Sequence, residues 1–98
     1  MSVLVIGGDR LGNIKDNLKN SGFDNIKHVT GRRNSDRKID IPVKMDLVLI
    51  LTDFINHKVA EIIKAKSKKN NTKILYSKRS WVHMEKVIKE FIDDYKMR

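Results

Sequence analysis

A chain of 98 residues with 21 Lys and Arg against 12 Asp and Glu carries a net charge of +9, which favours anionic partners: nucleic acid, nucleotide phosphates or acidic proteins. It has no cysteine, which excludes a disulfide framework and a thiolate metal site, and no apolar run long enough for a membrane span. One compact unit of this length buries about 65% of the surface its unfolded chain exposes, enough for one core. The expectation is therefore a single domain over residues 1–98, cytoplasmic and without a membrane partner. Its first apolar run, Val3 to Ile6, is too short for a signal peptide.

In chain order, Val3 to Ile6 reads as a strand, and Leu11, Ile14 and Leu18 recur at helical spacing until Ser21-Gly22. Ile26 to Thr30 predicts a second, shorter strand. After it comes a polar, basic stretch, Gly31-Arg32-Arg33-Asn34-Ser35-Asp36. Residues 31–45 contain Pro42 and no helical stripe, so extended chain or at most one helical turn is expected there. Leu47 to Leu51 is continuously apolar, the pattern of a strand covered on both faces. Val59, Ile62 and Ile63 mark a second helix ending near Lys68-Lys69-Asn70-Asn71. Lys73 to Tyr76 is the fourth strand, and Ser80 caps a last helix that runs to about Asp94.

Strands alternating with helices imply an α/β fold with a parallel sheet, because each crossover returns over one face. Right-handed crossovers and the usual reversal after the second strand give a small Rossmann-like three-layer sandwich with four strands in order 2-1-3-4. Ligands of such sheets bind beyond the strand carboxyl ends. That rim gathers Gly7, Gly8, Asp9 and Arg10; Thr30, Gly31, Arg32 and Arg33; Thr52, Asp53, Asn56 and His57; and Ser77, Lys78, Arg79 and Ser80. The cations Arg10, Arg32, Arg33, Lys78 and Arg79 face only Asp9 and Asp53 in this set, and helix N-termini add partial positive charge.

The glycines invite comparison with a dinucleotide fingerprint. Counted from Gly7, its glycine positions fall on Gly7, Asp9 and Gly12, so a carboxylate stands where pyrophosphate would lie. Asp9 reads instead as the N-cap of the first helix. No acid follows the second strand to hold a ribose, and no Gly-Lys-Ser/Thr loop exists for a nucleoside triphosphate. Asp46 to Asp53, DLVLILTD, resembles the phosphorylated strand of a receiver domain. The magnesium-binding acid pair is missing, since Gly7-Gly8-Asp9 supplies one acid, and the chain is short for that fold.

A Gly-Gly pair after strand one, Gly31 after strand two, Asp46-Leu47-Val48, then Thr52-Asp53-Phe54-Ile55-Asn56-His57 and the lysine-bearing helix around Lys64 to Lys66 follow one another along nearly the whole chain. In that order and spacing they resemble a small bacterial family known as a domain of unknown function. The resemblance implies a Rossmann-like fold and brings no established activity. Members often carry a serine just before the histidine and a cysteine later in the helix; Asn56 and Ser67 stand at about those places here, so a thiol-dependent role is lost in this member.

His57 falls near the first turn of the second helix, where the helix dipole favours a neutral imidazole able to act as base, metal or haem ligand, or donor to a phosphate oxygen. Pairing with Asp53 or Glu61 would instead make it a loop brace. His28, within a strand, and His83, in the first turn of the last helix, read as structural or surface residues. The three histidines lack a short ligand spacing. Two functions follow. One is a binding module for a nucleotide, phosphate or nucleic-acid ligand through Gly7, Gly8, Arg10, Arg32, Arg33, Thr52, Asp53, His57, Lys78 and Arg79. The other is an enzyme or a metal- or haem-binding protein centred on Asp53 and His57. The first needs only charge and backbone amides, and it is the reading the sequence favours. Phe54, Tyr76 and Trp81 near the rim leave base stacking open. Trp81, Met84, Val87, Ile88, Phe91, Ile92 and Tyr95 form a wide apolar stripe, and the seam 81, 84, 88, 91 and 95 predicts a homodimer through the C-terminal helix.

Overall fold

A computed structural model describes residues 1–30, 41, 44–53 and 55–97. The described chain runs β1 (Ser2–Ile6), α1 (Asn13–Asn20), β2 (Asn25–Val29), β3 (Leu47–Leu51), α2 (His57–Lys69), β4 (Lys73–Ser77) and α3 (Trp81–Lys96). The strands form a parallel sheet in the expected order, β2-β1-β3-β4. Val3 sits opposite Ile26 on one side and Leu47 on the other, and Leu51 opposite Ser77.

Alternation along the two inner strands divides the core. Val3, Val5, Leu47, Leu49 and Leu51 face Ile14 and Leu18 of α1 and Met84, Ile88 and Phe91 of α3, with Leu11 and Phe23 between them. Leu4, Ile6, Val48 and Ile50 face Val59 and Ile63 of α2, with Ile41 and Met45 closing that side. Every residue of β3 is buried, as its unbroken apolar run requires of a strand covered by both helical layers. Burying each such side chain contributes about 1.5–3 kcal/mol.

Two local readings are corrected. Asp9 does not cap α1: the cap position is Gly12, at φ 54°, and the helix opens without a side-chain cap bond. Burial of Leu11 draws the loop inward, and backbone bonds from Ile14 N–H to Leu11 O (3.0 Å) and Lys15 N–H to Gly12 O (3.2 Å) start the helix. The α3 seam is also spent within the chain. Met84, Ile88 and Phe91 are buried against the sheet, while Trp81 and Ile92 pack on the same cluster, because α1 is only eight residues long and leaves much of that sheet face for α3 to cover. Val82, Tyr95 and Met97 are the large apolar side chains that α3 and its cap leave exposed. The expectation for residues 31–45 falls largely outside the described residues; where the chain is described again, Ile41 is buried and Lys44 sits in a turn.

The other two helices start and stop where the sequence places them. Ser80 is the cap position of α3, although its side chain makes no cap bond. Asn56 caps α2, its Oδ1 accepting from Lys58 N–H at 2.8 Å. The far end of α2 closes with Asn71 at φ 56°, Asn71 N–H donating to Lys68 O (3.2 Å) and Thr72 N–H to Ser67 O (2.8 Å). This double bond pattern is the Schellman stop, in which asparagine substitutes for glycine in the left-handed conformation.

Candidate functional site

The carboxyl ends of the strands are held together by a cross-braced loop set. Gly7 and Gly8 follow β1 with φ of 120° and 77°, conformations that L side chains rarely adopt. Gly7 N–H donates to Val29 O at 2.8 Å, and His28 Nε2 lies 2.9 Å from Gly7 O. A carbonyl only accepts, so the partner fixes His28 with its proton on Nε2. The glycine turn is thereby tied to β2 through both the N–H and the carbonyl of Gly7. This gives His28 a structural task, in keeping with the sequence reading.

The second brace is Arg79. Its backbone N–H donates to Asp53 Oδ1 at 3.0 Å. Its guanidinium reaches back to the carbonyl of Arg10, with Nε at 3.2 Å and Nη2 as a second donor to the same oxygen. The side chain crosses over Gly8: a Cβ there would stand 3.4 Å from Nε and 3.5 Å from Cδ. Three loops, after β1, β3 and β4, therefore meet at one half-buried arginine. A guanidinium carries five N–H donors. With Nε–H and one Nη2–H spent on Arg10, the Nη1 pair and the second Nη2–H have no partner among the described residues. Gly8, Asp9, Arg10 and Arg79 line a cleft of about 250 Å³, room for an oxyanion and little more.

The remaining rim residues divide. Thr52 is exposed but turned toward β4, with its N–H 2.9 Å and its Oγ1 3.4 Å from Ser77 O. Lys78 is exposed, and its carbonyl accepts from Ser77 Oγ at 2.8 Å. His57 is the first residue of α2 and is exposed. Its imidazole has no hydrogen bond among the described residues, so neither the Asp53 nor the Glu61 side chain braces it. Arg32, Arg33 and Phe54 lie outside the described residues. Of the expected set, the structure brings together Gly7, Gly8, Arg10, Asp53 and Arg79. Ser67 is fully buried, its Oγ donating to Ile63 O at 2.8 Å within α2, and it lies ten residues from His57, about 15 Å along a helix. A thiol at that place would sit in the core, well away from the imidazole. No group of three or more His, Cys, Asp or Glu suited to a metal ion occurs among the described residues.

The sequence did not reveal a second concavity at the opposite, amino end of the sheet. It measures about 560 Å³ and takes its walls from α2, the α2–β4 turn, β4 and α3. Its residues are scattered from Met45 to Tyr95 and share no motif spacing. The one visible cue was Lys68-Lys69-Asn70-Asn71, read as a helix stop.

Fold and rim together define a small parallel α/β sandwich with a cationic, glycine-floored cleft beyond its strand ends. The chain belongs to the family described as an uncharacterized protein conserved in bacteria (DUF2325), whose profile matches residues 2–91. No curated protein and no solved structure matches it. Among the described residues no helix is long and apolar enough to cross a membrane.

Proposed function

We propose that this protein is a binding module whose rim holds phosphoryl groups, as free phosphate, a nucleotide phosphate or a nucleic-acid backbone. One observation carries the reading: the Arg79 guanidinium is anchored to the Arg10 carbonyl beside the Gly8 backbone, with donors left over. A fixed fork loses little freedom when an oxyanion arrives, and it can make two parallel charge-assisted bonds. The exposed cations Arg10 and Lys78 lie in the loops that flank it, and the N-termini of α1, α2 and α3 come at the same end of the parallel sheet. Asp9 lines the cleft too, which disfavours ligands that bring more negative charge than the arginines match. Arg32 and Arg33, which follow β2 in sequence and lie outside the described residues, are included in the proposal for their charge.

The test is binding of a labelled single-stranded oligonucleotide and of pyrophosphate across a salt series. Hydrogen bonds to charged groups contribute about 1.5–3 kcal/mol, so Arg79→Ala should weaken binding roughly 10- to 100-fold. Replacing Arg32 and Arg33 together should flatten the salt slope for the oligonucleotide by about 0.7 for each phosphate that is no longer neutralised. Unchanged affinity and slope in both variants would remove the rim from the account.

A second reading, a metal, haem or catalytic centre on Asp53 and His57, is supported by the unbraced, exposed imidazole at the start of α2. Retained metal or haem in native mass spectra, lost in His57→Ala, is its signature. A homodimer through α3 would have to use the exposed Val82, Tyr95 and Met97, since the middle of the seam is already buried. Sedimentation at micromolar concentration, repeated with Val82→Glu, tests that arrangement.

A further inference from the structure

The cleft at the amino end of the sheet has two unlike walls. Lys64 and Lys68 from α2, Lys73 from β4 and Asn71 from the turn supply polar groups, while Met45, Ile74, Phe91 and Tyr95 supply an apolar surface. Its volume, about 560 Å³, lies within the range of small-molecule sites. None of the three lysines has an ion-pair partner among the described residues. The acid in the lining, Asp46, has its Oδ2 engaged by Ser2, 2.8 Å from the backbone N–H and 3.2 Å from Oγ. Charge in the cleft is thus left positive.

Lysines in the last turn of a helix also offset its carbonyl dipole, which accounts for Lys68 on α2 without any ligand. It does not account for Lys73, which belongs to a strand, nor for Thr72. That residue follows the Schellman stop at a position that ordinarily carries an apolar side chain packed on the helix. Valine has the same shape. Thr72 nevertheless places a hydroxyl there, buried and without a partner among the described residues, in the wall of the cleft. Opposite the lysines, Tyr95 is 41% exposed while its ring lies 6.0 Å from that of Phe91, tilted by 36°. An aromatic face held by a buried ring and open to solvent is a platform for a flat ligand.

We infer that this cleft binds a phosphorylated aromatic ligand of mononucleotide size. The base lies against Tyr95, the phosphate lies among Lys64, Lys68 and Lys73, and a ligand oxygen satisfies Thr72 once rotation about χ1 turns its buried Oγ1 into the cleft. The site is separate from the rim and does not depend on it.

Titration of the isotope-labelled protein with adenosine monophosphate, followed by amide shifts, reads this directly. Saturable shifts are expected at Asn71, Thr72, Lys73 and Tyr95. Ribose 5-phosphate, which has the charge and lacks the base, should bind the cleft at least several-fold more weakly. Tyr95→Leu should lower the affinity for adenosine monophosphate about tenfold, the effect of losing one stacked base, and leave that for ribose 5-phosphate unchanged. Thr72→Val should weaken nucleotide binding without lowering the melting temperature, which separates a ligand role from a folding role. Equal binding of the two probes, no effect of Tyr95→Leu, no saturable shift at these amides, or a preference for a single-stranded oligonucleotide there would each overturn the inference.

Discussion

The two ends of the sheet solve the placement of positive charge differently. At the carboxyl end, Arg79 is tied by its backbone to Asp53 and by its guanidinium to Arg10, and Gly7 is held by Val29 and His28. At the amino end, Lys64, Lys68 and Lys73 have no ion-pair partners among the described residues and stand opposite an apolar wall. The rim is thus small and rigid, the amino-end cleft larger and adaptable. Rigid forks favour oxyanions by geometry, whereas flexible ammonium groups act as point charges and leave selectivity to the surface they face. A charge count of the sequence treats the two ends alike; the hydrogen bonds do not.

The largest effect that separates them is expected from Arg79→Lys. It keeps the charge and removes the fork, so pyrophosphate affinity at the rim should fall about tenfold, the worth of one charge-assisted bond, while binding at the amino end stays as it was. Equal affinity would mean that only charge counts at the rim, erasing the contrast. Next is Gly8→Ala. The Cβ would meet Arg79 at ordinary van der Waals distance, 3.4 Å, so the cost comes from φ +77° and should be about 1–2 kcal/mol in urea unfolding. A neutral result would show that the glycine turn can relax, and with it the rim.

His28→Ala removes the bond to the Gly7 carbonyl and is expected to cost about 0.5–1.5 kcal/mol, with amide shifts concentrated at Gly7 and Gly8. Shifts spread evenly over the sheet would instead indicate general loosening of β2. The smallest effect concerns pH. The Met1 ammonium, 2.9 Å from Asp24 Oδ1, holds the Asp24 carboxyl below its ordinary value of 3.8. A carboxyl lowered in the folded state stabilises above that ordinary value, and the contribution is lost as pH falls through the folded one. Asp24→Asn should therefore differ from the parent slightly at neutral pH and not at all in strong acid. A difference that grows on acidification would reverse the assignment.

How much of this was legible before the structure depends on how local the cause is. β3 was readable residue for residue because five consecutive apolar side chains have one physical use in a parallel sheet. The strand order and the junction of the Gly7-Gly8 loop with Asp53 and Arg79 followed from topology alone. Asp9 misled because a good capping residue lay two positions before Leu11, and burial of the leucine outweighed the cap bond. The α3 seam was ambiguous because its spacing suits a sheet face as well as a partner helix; Met84, Ile88 and Phe91 take the sheet face. The amino-end cleft left only the Lys68-Lys69-Asn70-Asn71 stretch as a cue, since Lys64, Thr72, Lys73 and Tyr95 converge only through the crossovers that fold α2 and α3 onto opposite faces of the sheet.

The central claim is that the braced arginine rim, rather than dispersed surface charge, receives phosphoryl groups. Amide-shift mapping with pyrophosphate in the parent and in Arg79→Ala tests it most directly. The account predicts saturable shifts at Gly8, Asp9, Arg10 and Arg79 that collapse in the variant at unchanged melting temperature. Shifts spread over exposed lysines outside the amino-end cleft, with none confined to the rim and no change in Arg79→Ala, would contradict it.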